Sequence, residues 1–282
     1  MINSNGKIVA ANDGSLTVAN RGYAYGDALF ETIRVNAGVI LFWEDHYFRL
    51  MASMRILRME IPMTFTPEFL QQEILDLIKE SNLMNSSVRI KIQVYRKEGG
   101  LYTPIENTIG YNISVSPIPS SFYTISNEKY EVTLFKDHYI AADLLSTLKT
   151  NNRLINVLGG IFSKENGFDN CILLNTNKSV VEALNGNLFL VKGNKIKTPP
   201  VSDGCLKGIL RKQLLKAIKK LPDYELEEVS ISPFELQKAD ELFITNVITG
   251  IQPVTKFRKK EYSSNIARKL LGILNAQIRL AN

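Results

Sequence analysis

Between residues 88 and 95 apolar and polar side chains alternate strictly, Val88, Ile90, Ile92 and Val94 against Arg89, Lys91, Gln93 and Tyr95. Successive side chains of a strand point to opposite faces, so this stretch commits the chain to a sheet buried on one face only. The layer that covers that face is legible upstream. Thr66-Pro67-Glu68 is a helix start: a capping hydroxyl, proline at the first helical position and an acid in the first turn. Phe69, Leu70, Ile74, Leu77 and Ile78 then give that helix one apolar stripe. A second helix is expected over residues 44–57, where Tyr47, Leu50, Met51 and Met54 recur at helical spacing. Before it, Lys7-Ile8-Val9-Ala10 and Ser15-Leu16-Thr17-Val18 read as strands flanking a turn at Asn12-Asp13-Gly14. Residues 30–35 and 38–43 read as a hairpin turning at Asn36-Ala37-Gly38.

Residues 116–121, with Pro117 and Pro119, form the clearest linker. The chain is therefore expected to divide into an N-terminal α/β domain over residues 1–119 and a C-terminal domain over residues 120–282. The second is again mixed. Helices are expected over 150–166, 206–221 and 264–280, and strands near 171–175, 187–191 and 241–246. The fold class is α+β in two domains, without repeats or low-complexity tracts.

Composition removes several function classes. Two cysteines, Cys171 and Cys205, lack CxxC spacing, and two histidines, His46 and His138, are too scattered for a histidine metal site, so neither a disulfide framework nor zinc is expected. Scarce histidine also argues against a Ser-His-Asp hydrolase. No apolar run approaches the roughly 18 residues needed to span a bilayer, and the start lacks a signal-peptide pattern, so a cytoplasmic protein with no membrane partner is expected. The net charge of +6 is spread along the chain, with clusters such as Arg258-Lys259-Lys260. It suits anionic small molecules, and no zinc-finger, RNP or helix-turn-helix signature points to nucleic acid.

Four segments carry candidate chemistry. Lys149 precedes an apolar helix, where a lysine is either an ordinary surface residue or, once partly desolvated, an amine able to attack a carbonyl. Glu182 sits among small and apolar residues ahead of a strand, and a buried carboxylate needs a partner. Gly208-Ile209-Leu210-Arg211 opens a helix whose first N–H groups suit a phosphate. The loop of residues 245–254, with Asn246, Val247 and Gly250, follows a buried strand and either closes on the same anion or simply turns the chain.

Taken in order, these segments resemble the class-IV aminotransferases, the fold-type IV pyridoxal-phosphate enzymes related to D-amino-acid aminotransferase. Residues 21–32 resemble the family's R-G-x-x-x-G-D-x-x-F-E segment, and His46-Tyr47-Phe48-Arg49-Leu50 its H-x-x-R-L. Glu182 with Asn187-Leu188-Phe189 matches E-x-x-x-x-N-L-F. The resemblance implies pyridoxal 5'-phosphate bound covalently by Lys149, in a cofactor-binding C-terminal domain. It further implies a phosphate held by Arg49, Gly208, Ile209, Leu210, Asn246 and Val247, and a pyridine nitrogen met by Glu182. It also implies a cofactor lying between the domains and a homodimer whose partner completes the site.

Within the family, Lys149-Thr150-Asn151-Asn152-Arg153-Leu154 resembles the K-x-x-N-R-L of aminodeoxychorismate lyases, which form 4-aminobenzoate and pyruvate for folate synthesis. Leu210 and Val247 stand where transaminases place threonine hydroxyls, and Thr245-Asn246 resembles the lyase loop. Against this, Leu101 stands where many lyases have arginine, and Phe30-Glu31-Thr32 is nearer the transaminase form. The alternative is a transaminase of branched-chain or D-amino acids using 2-oxoglutarate. Tyr25, Arg96 and Tyr102 are the candidate substrate contacts, Arg96 either as a carboxylate partner or as a surface residue at a strand end.

Overall fold

The computed structural model describes residues 1–13 and 16–281. The chain forms two compact units, Met1–Ser121 with Lys149–Asn152, and Phe122–Leu148 with Arg153–Asn282.

The first unit holds β1 (Ile2–Ser4), β2 (Lys7–Val9), α1 (Arg21–Tyr25), β3 (Ala28–Asn36), β4 (Val39–Ile40), α2 (Trp43–Ile56), α3 (Pro67–Glu80), β5 (Ser87–Arg96) and β6 (Ile109–Pro117). Its sheet runs β2-β1-β6-β5-β3-β4, every pair antiparallel. The alternating tract is β5, and Val88, Ile90, Ile92 and Val94 are fully buried. Met54 of α2 and Leu70, Ile74 and Leu77 of α3 are buried with them. Thr66 caps α3, its hydroxyl accepting from the Phe69 N–H at 3.2 Å.

Two expectations change. The first hairpin is β1–β2, turning at Asn5-Gly6 with φ of 51° and 85°, the left-handed pair that an Asn-Gly turn supplies. No strand forms at residues 16–18, where Leu16 and Val18 lie exposed, and Ser15 falls outside the described residues. The proline pair does not begin a linker at residue 116, because Ser116 and Pro117 still pair with Arg89 and Val88 as the end of β6.

In the second unit are β7 (Glu131–Ile140), α4 (Leu154–Glu165), β8 (Asn170–Asn175), β9 (Val180–Ala183), β10 (Asn187–Lys192), β11 (Lys195–Thr198), α5 (Ile209–Ile218) and β12 (Glu225–Glu228). They are followed by α6 (Pro233–Lys238), β13 (Glu241–Asn246), β14 (Gly250–Val254), β15 (Lys256–Phe257), β16 (Lys260–Glu261) and α7 (Asn265–Ala281). Two five-stranded sheets, β12-β11-β10-β13-β14 and β16-β15-β7-β8-β9, share one core in which Val132, Ile172, Leu188, Leu242, Ile244 and Phe257 meet. α4 makes the crossover between the parallel strands β7 and β8. It starts at Leu154, not at residue 150, because residues 149–151 are taken up in strand-like pairing.

That pairing also moves Lys149. It belongs to the first unit, not to the C-terminal domain, because Lys149–Asn152 runs along the start of β3. Phe30 N–H donates to Lys149 O at 2.8 Å, Asn151 N–H donates to Ala28 O at 2.9 Å, and Leu29 bridges Thr150.

Candidate active site

In the first unit, β3 serves two side chains through its alternation. Phe30 lies on one face, and the Lys149 amine sits 4.2 Å from its ring centroid, a cation–π contact. Glu31 points to the other face, where His46 and Arg49 of α2 meet it, three residues apart and so on one side of the helix. Arg49 donates Nε to Glu31 Oε1 at 2.7 Å and Nη2 to Oε2 at 2.6 Å, while His46 Nδ1 lies 2.7 Å from Oε2. Burial pushes the Glu31 carboxyl up, but the Arg49 charge and the bonds from His46 and Arg49 outweigh it and hold the group at about 2. Burial lowers the His46 imidazole below its ordinary value, and the Glu31 bond opposes that without reversing it. His46 is therefore neutral, with Nδ1–H donating.

In the second unit, β9 carries Glu182, which is buried. Its Oε2 accepts the Leu206 N–H at 3.0 Å and Asn187 Nδ2 at 3.4 Å, and the same amide nitrogen donates to Leu206 O at 2.9 Å. Burial, followed by the charge of Glu182, pushes the Cys205 thiol up to about 12. Asn187 also shapes the start of α5: a Cβ on Gly208 would lie 1.9 Å from its Oδ1. Gly208 is the N-cap, and the first intrahelical bond is Lys212 N–H to Gly208 O, so the N–H groups of Ile209, Leu210 and Arg211 precede the helical ladder. The β13–β14 turn is closed by Asn246, whose Oδ1 accepts the N–H groups of Ile248 and Thr249 at 3.0 and 2.9 Å. Tyr123 braces that turn by donating its hydroxyl to Val247 O at 2.6 Å. Gly250, at φ 78°, lies where a Cβ would come within 2.6 Å of the Tyr123 ring.

The first unit thus offers a lysine amine suited to an aldehyde, and the second a buried carboxylate and a helix start suited to a pyridinium and a phosphate. The comparisons with known proteins agree. Residues 28–257 match the model of the amino-transferase class IV family. The chain belongs to the class IV aminotransferases.

Class IV aminotransferases depend on pyridoxal phosphate, and this chain is an enzyme of that kind, a transaminase or a lyase. It is 32% identical over 253 residues to a protein assigned as a branched-chain-amino-acid aminotransferase in Methanocaldococcus jannaschii, covering 89% of this chain and 85% of that one. It is 26% identical over 266 residues to the aminodeoxychorismate lyase of Vibrio harveyi, covering 92% and 95%. The branched-chain aminotransferase of Thermoproteus uzoniensis has the same fold, with a TM-score of 0.87 at 23% identity over 96% of this chain and 92% of that one.

Ile209 and Leu210 are buried by their side chains, so toward a phosphate they offer only main-chain N–H groups. Asn246 spends its Oδ1 within its own turn, and Val247 is fixed through its carbonyl. Tyr25 and Tyr102 come together, with ring centroids 5.7 Å apart. Arg96 is not the surface residue of its second reading, since it is buried. Its guanidinium donates to Asp27 Oδ2 at 2.9 Å, Asn107 Oδ1 at 2.5 Å, Leu57 O at 2.7 Å and Arg58 O at 3.3 Å, all in its own unit.

Sequence reasoning passed over Arg21, although it opens the first family motif. Arg21 is buried and donates to Asp27, Gly99 O, Leu101 O and Tyr102 O, and its guanidinium lies 5.0 Å from the Tyr25 ring centroid. It ties both tyrosines to one point. An arginine followed by glycine and closely spaced tyrosines was the available signal.

Proposed function

We propose that this class IV enzyme is an aminodeoxychorismate lyase, releasing pyruvate and forming 4-aminobenzoate. The observation that carries the reading is the engagement of Arg96. A transaminase must admit two dissimilar substrates in turn, usually through one reusable carboxylate clamp, and the arginine at the end of β5 is committed to Asp27, Asn107 and two carbonyls. A lyase orients a single substrate and needs no such exchange. The K-x-x-N-R-L run at Lys149 and the apolar Leu210 and Val247 support the same reading.

Pyridoxal phosphate, when bound, supplies the electron sink for the bond broken at the amine-bearing carbon. Lys149 holds the cofactor and moves the proton of that carbon. The ring of Phe30 keeps the lysine amine in one place. The candidate phosphate ligands of this reading are Arg49 in the first unit and, in the second, the N–H groups at the start of α5. Glu182, its Oε2 fixed by Leu206 N–H and Asn187, keeps a proton on the pyridine nitrogen. Tyr25 and Tyr102 are the substrate contacts of this reading.

A second reading, a branched-chain transaminase, is favoured by the 32% identity to the Methanocaldococcus jannaschii protein. Cofactor-loaded protein is given aminodeoxychorismate with pyruvate detection, and separately leucine and 2-oxoglutarate with glutamate detection. Pyruvate without glutamate is expected. Glutamate without pyruvate would replace the lyase with the transaminase.

A further inference from the structure

Glu31 occupies a core-facing slot of β3, between Leu29 and Ile33, which are 1% and 0% exposed. An apolar side chain is the ordinary occupant of such a slot. A buried ion pair adds little stability over an apolar pair of similar volume, because desolvation offsets much of the attraction. The pair instead fixes direction. The two bonds to Glu31 take the Nε and Nη2 edge of Arg49, so the plane of its guanidinium is set. Ser53 adds a bond at the base of Arg49, its hydroxyl donating to Arg49 O at 2.7 Å. His46, 1% exposed, fixes the carboxylate in turn. Its Nε2 is buried without a hydrogen-bond partner among the described residues, so the imidazole gives a donor to Glu31 without adding a third positive charge near Arg49 and Lys149.

We propose that Glu31, held by His46, is a positioning residue that presents Arg49 to a phosphate monoester, so that affinity for the cofactor's phosphate depends on all three side chains. The inference rests on the reading of Arg49 as a phosphate ligand.

The test compares pyridoxal phosphate with pyridoxal, which lacks only the phosphate, by absorbance titration of apo-protein. Glu31→Gln is expected to weaken pyridoxal phosphate about tenfold, the loss of one well-aligned charged contact. Pyridoxal affinity is expected to stay within about twofold, since no other contact of the aldehyde changes. His46→Asn, which keeps a donor, should retain more phosphate selectivity than His46→Leu. Glu31→Asp, which keeps the charge but shortens the reach, provides the same selective readout if Glu31→Gln does not fold. Equal losses for the two ligands, or none for pyridoxal phosphate, overturn the positioning role. Arg49→Ala separates the layers. If it loses phosphate selectivity while the Glu31 variants keep it, only the inference fails. If it binds both ligands like the parent, the Arg49 reading fails and the inference with it.

Discussion

Asn187 leaves no room beside Gly208, and that single contact ties two parts of the site together. The amide holds Glu182 Oε2 and Leu206 O through one nitrogen, while its oxygen lies where an alanine methyl at residue 208 would go. Gly208 has an ordinary φ of −65°, so the constraint is space and not backbone conformation. Gly208→Ala is expected to cost about 1–3 kcal/mol by overpacking and to release the cofactor faster, because displacing Asn187 also loosens Glu182. Differential scanning calorimetry with a dialysis assay checks this, and a stable, cofactor-retaining variant would refute it. The Glu31 cluster makes a prediction in pH. Glu31 goes from 4.5 in the unfolded chain to about 2 in the folded one. Its contribution is therefore complete above 4.5 and lost as pH falls toward 2. His46, lowered from 6.5 by burial, stays neutral in the fold while the unfolded chain takes up a proton, so stability also falls below 6.5. Urea midpoints should decline from neutral to acid pH in the parent. His46→Asn should flatten the upper part of that decline, and Glu31→Gln the part below 4.5. Parallel profiles for all three proteins would remove these groups from the acid response.

The element that matters most to Lys149 is four residues long. Lys149–Asn152 borrows its order from β3, through bonds at Phe30 and Ala28 that hold the lysine main chain before its amine reaches Phe30. Asn151→Pro removes the N–H that donates to Ala28 O, without removing a side chain from the site. Turnover is expected to fall about tenfold, while the melting temperature shifts by only a few degrees, as for one lost hydrogen bond. Unchanged turnover would mean that the strand-like pairing does not place Lys149. This tract also marks the limit of sequence reading. Its bonds join residues more than a hundred positions apart, and local pattern sees only an approach to the helix at Leu154. Where periodicity and caps are local, as in α3 and β5, the elements were legible to within a residue or two. The strands β6 and β7 went unread although Tyr111, Ile113 and Val115, then Val132 and Leu134, alternate in the required way. The β1–β2 hairpin was announced by Asn5-Gly6, a stronger signal than the Asn12-Asp13-Gly14 chosen in its place.

At the scale of the whole chain, the candidate site is legible where chemistry demands a residue type and illegible where it demands only a neighbour. Lys149, Glu182 and Gly208 stand out because an amine, a carboxylate and a missing Cβ have few substitutes. Asn187, Arg21 and Glu31 act by holding other groups, and nothing local reveals Asp27 and Asn107 around Arg96. Net charge is a property that sequence does give outright, and it carries the last prediction. The chain has a net charge of +6, while pyridoxal phosphate, aminodeoxychorismate and 2-oxoglutarate are anions. A field spread over the whole surface acts on approach and not on the bound state, so it should raise association rates and leave turnover alone. Screening shortens its range from about 10 Å at 0.1 M salt to about 3 Å at 1 M. With the preferred substrate, kcat/KM is therefore expected to fall several-fold as sodium chloride rises across that range, with kcat unchanged. A parallel fall of kcat would point instead to salt weakening contacts inside the site, such as those of Arg49. A flat kcat/KM would show that the basic residues are too dispersed to steer a small anion.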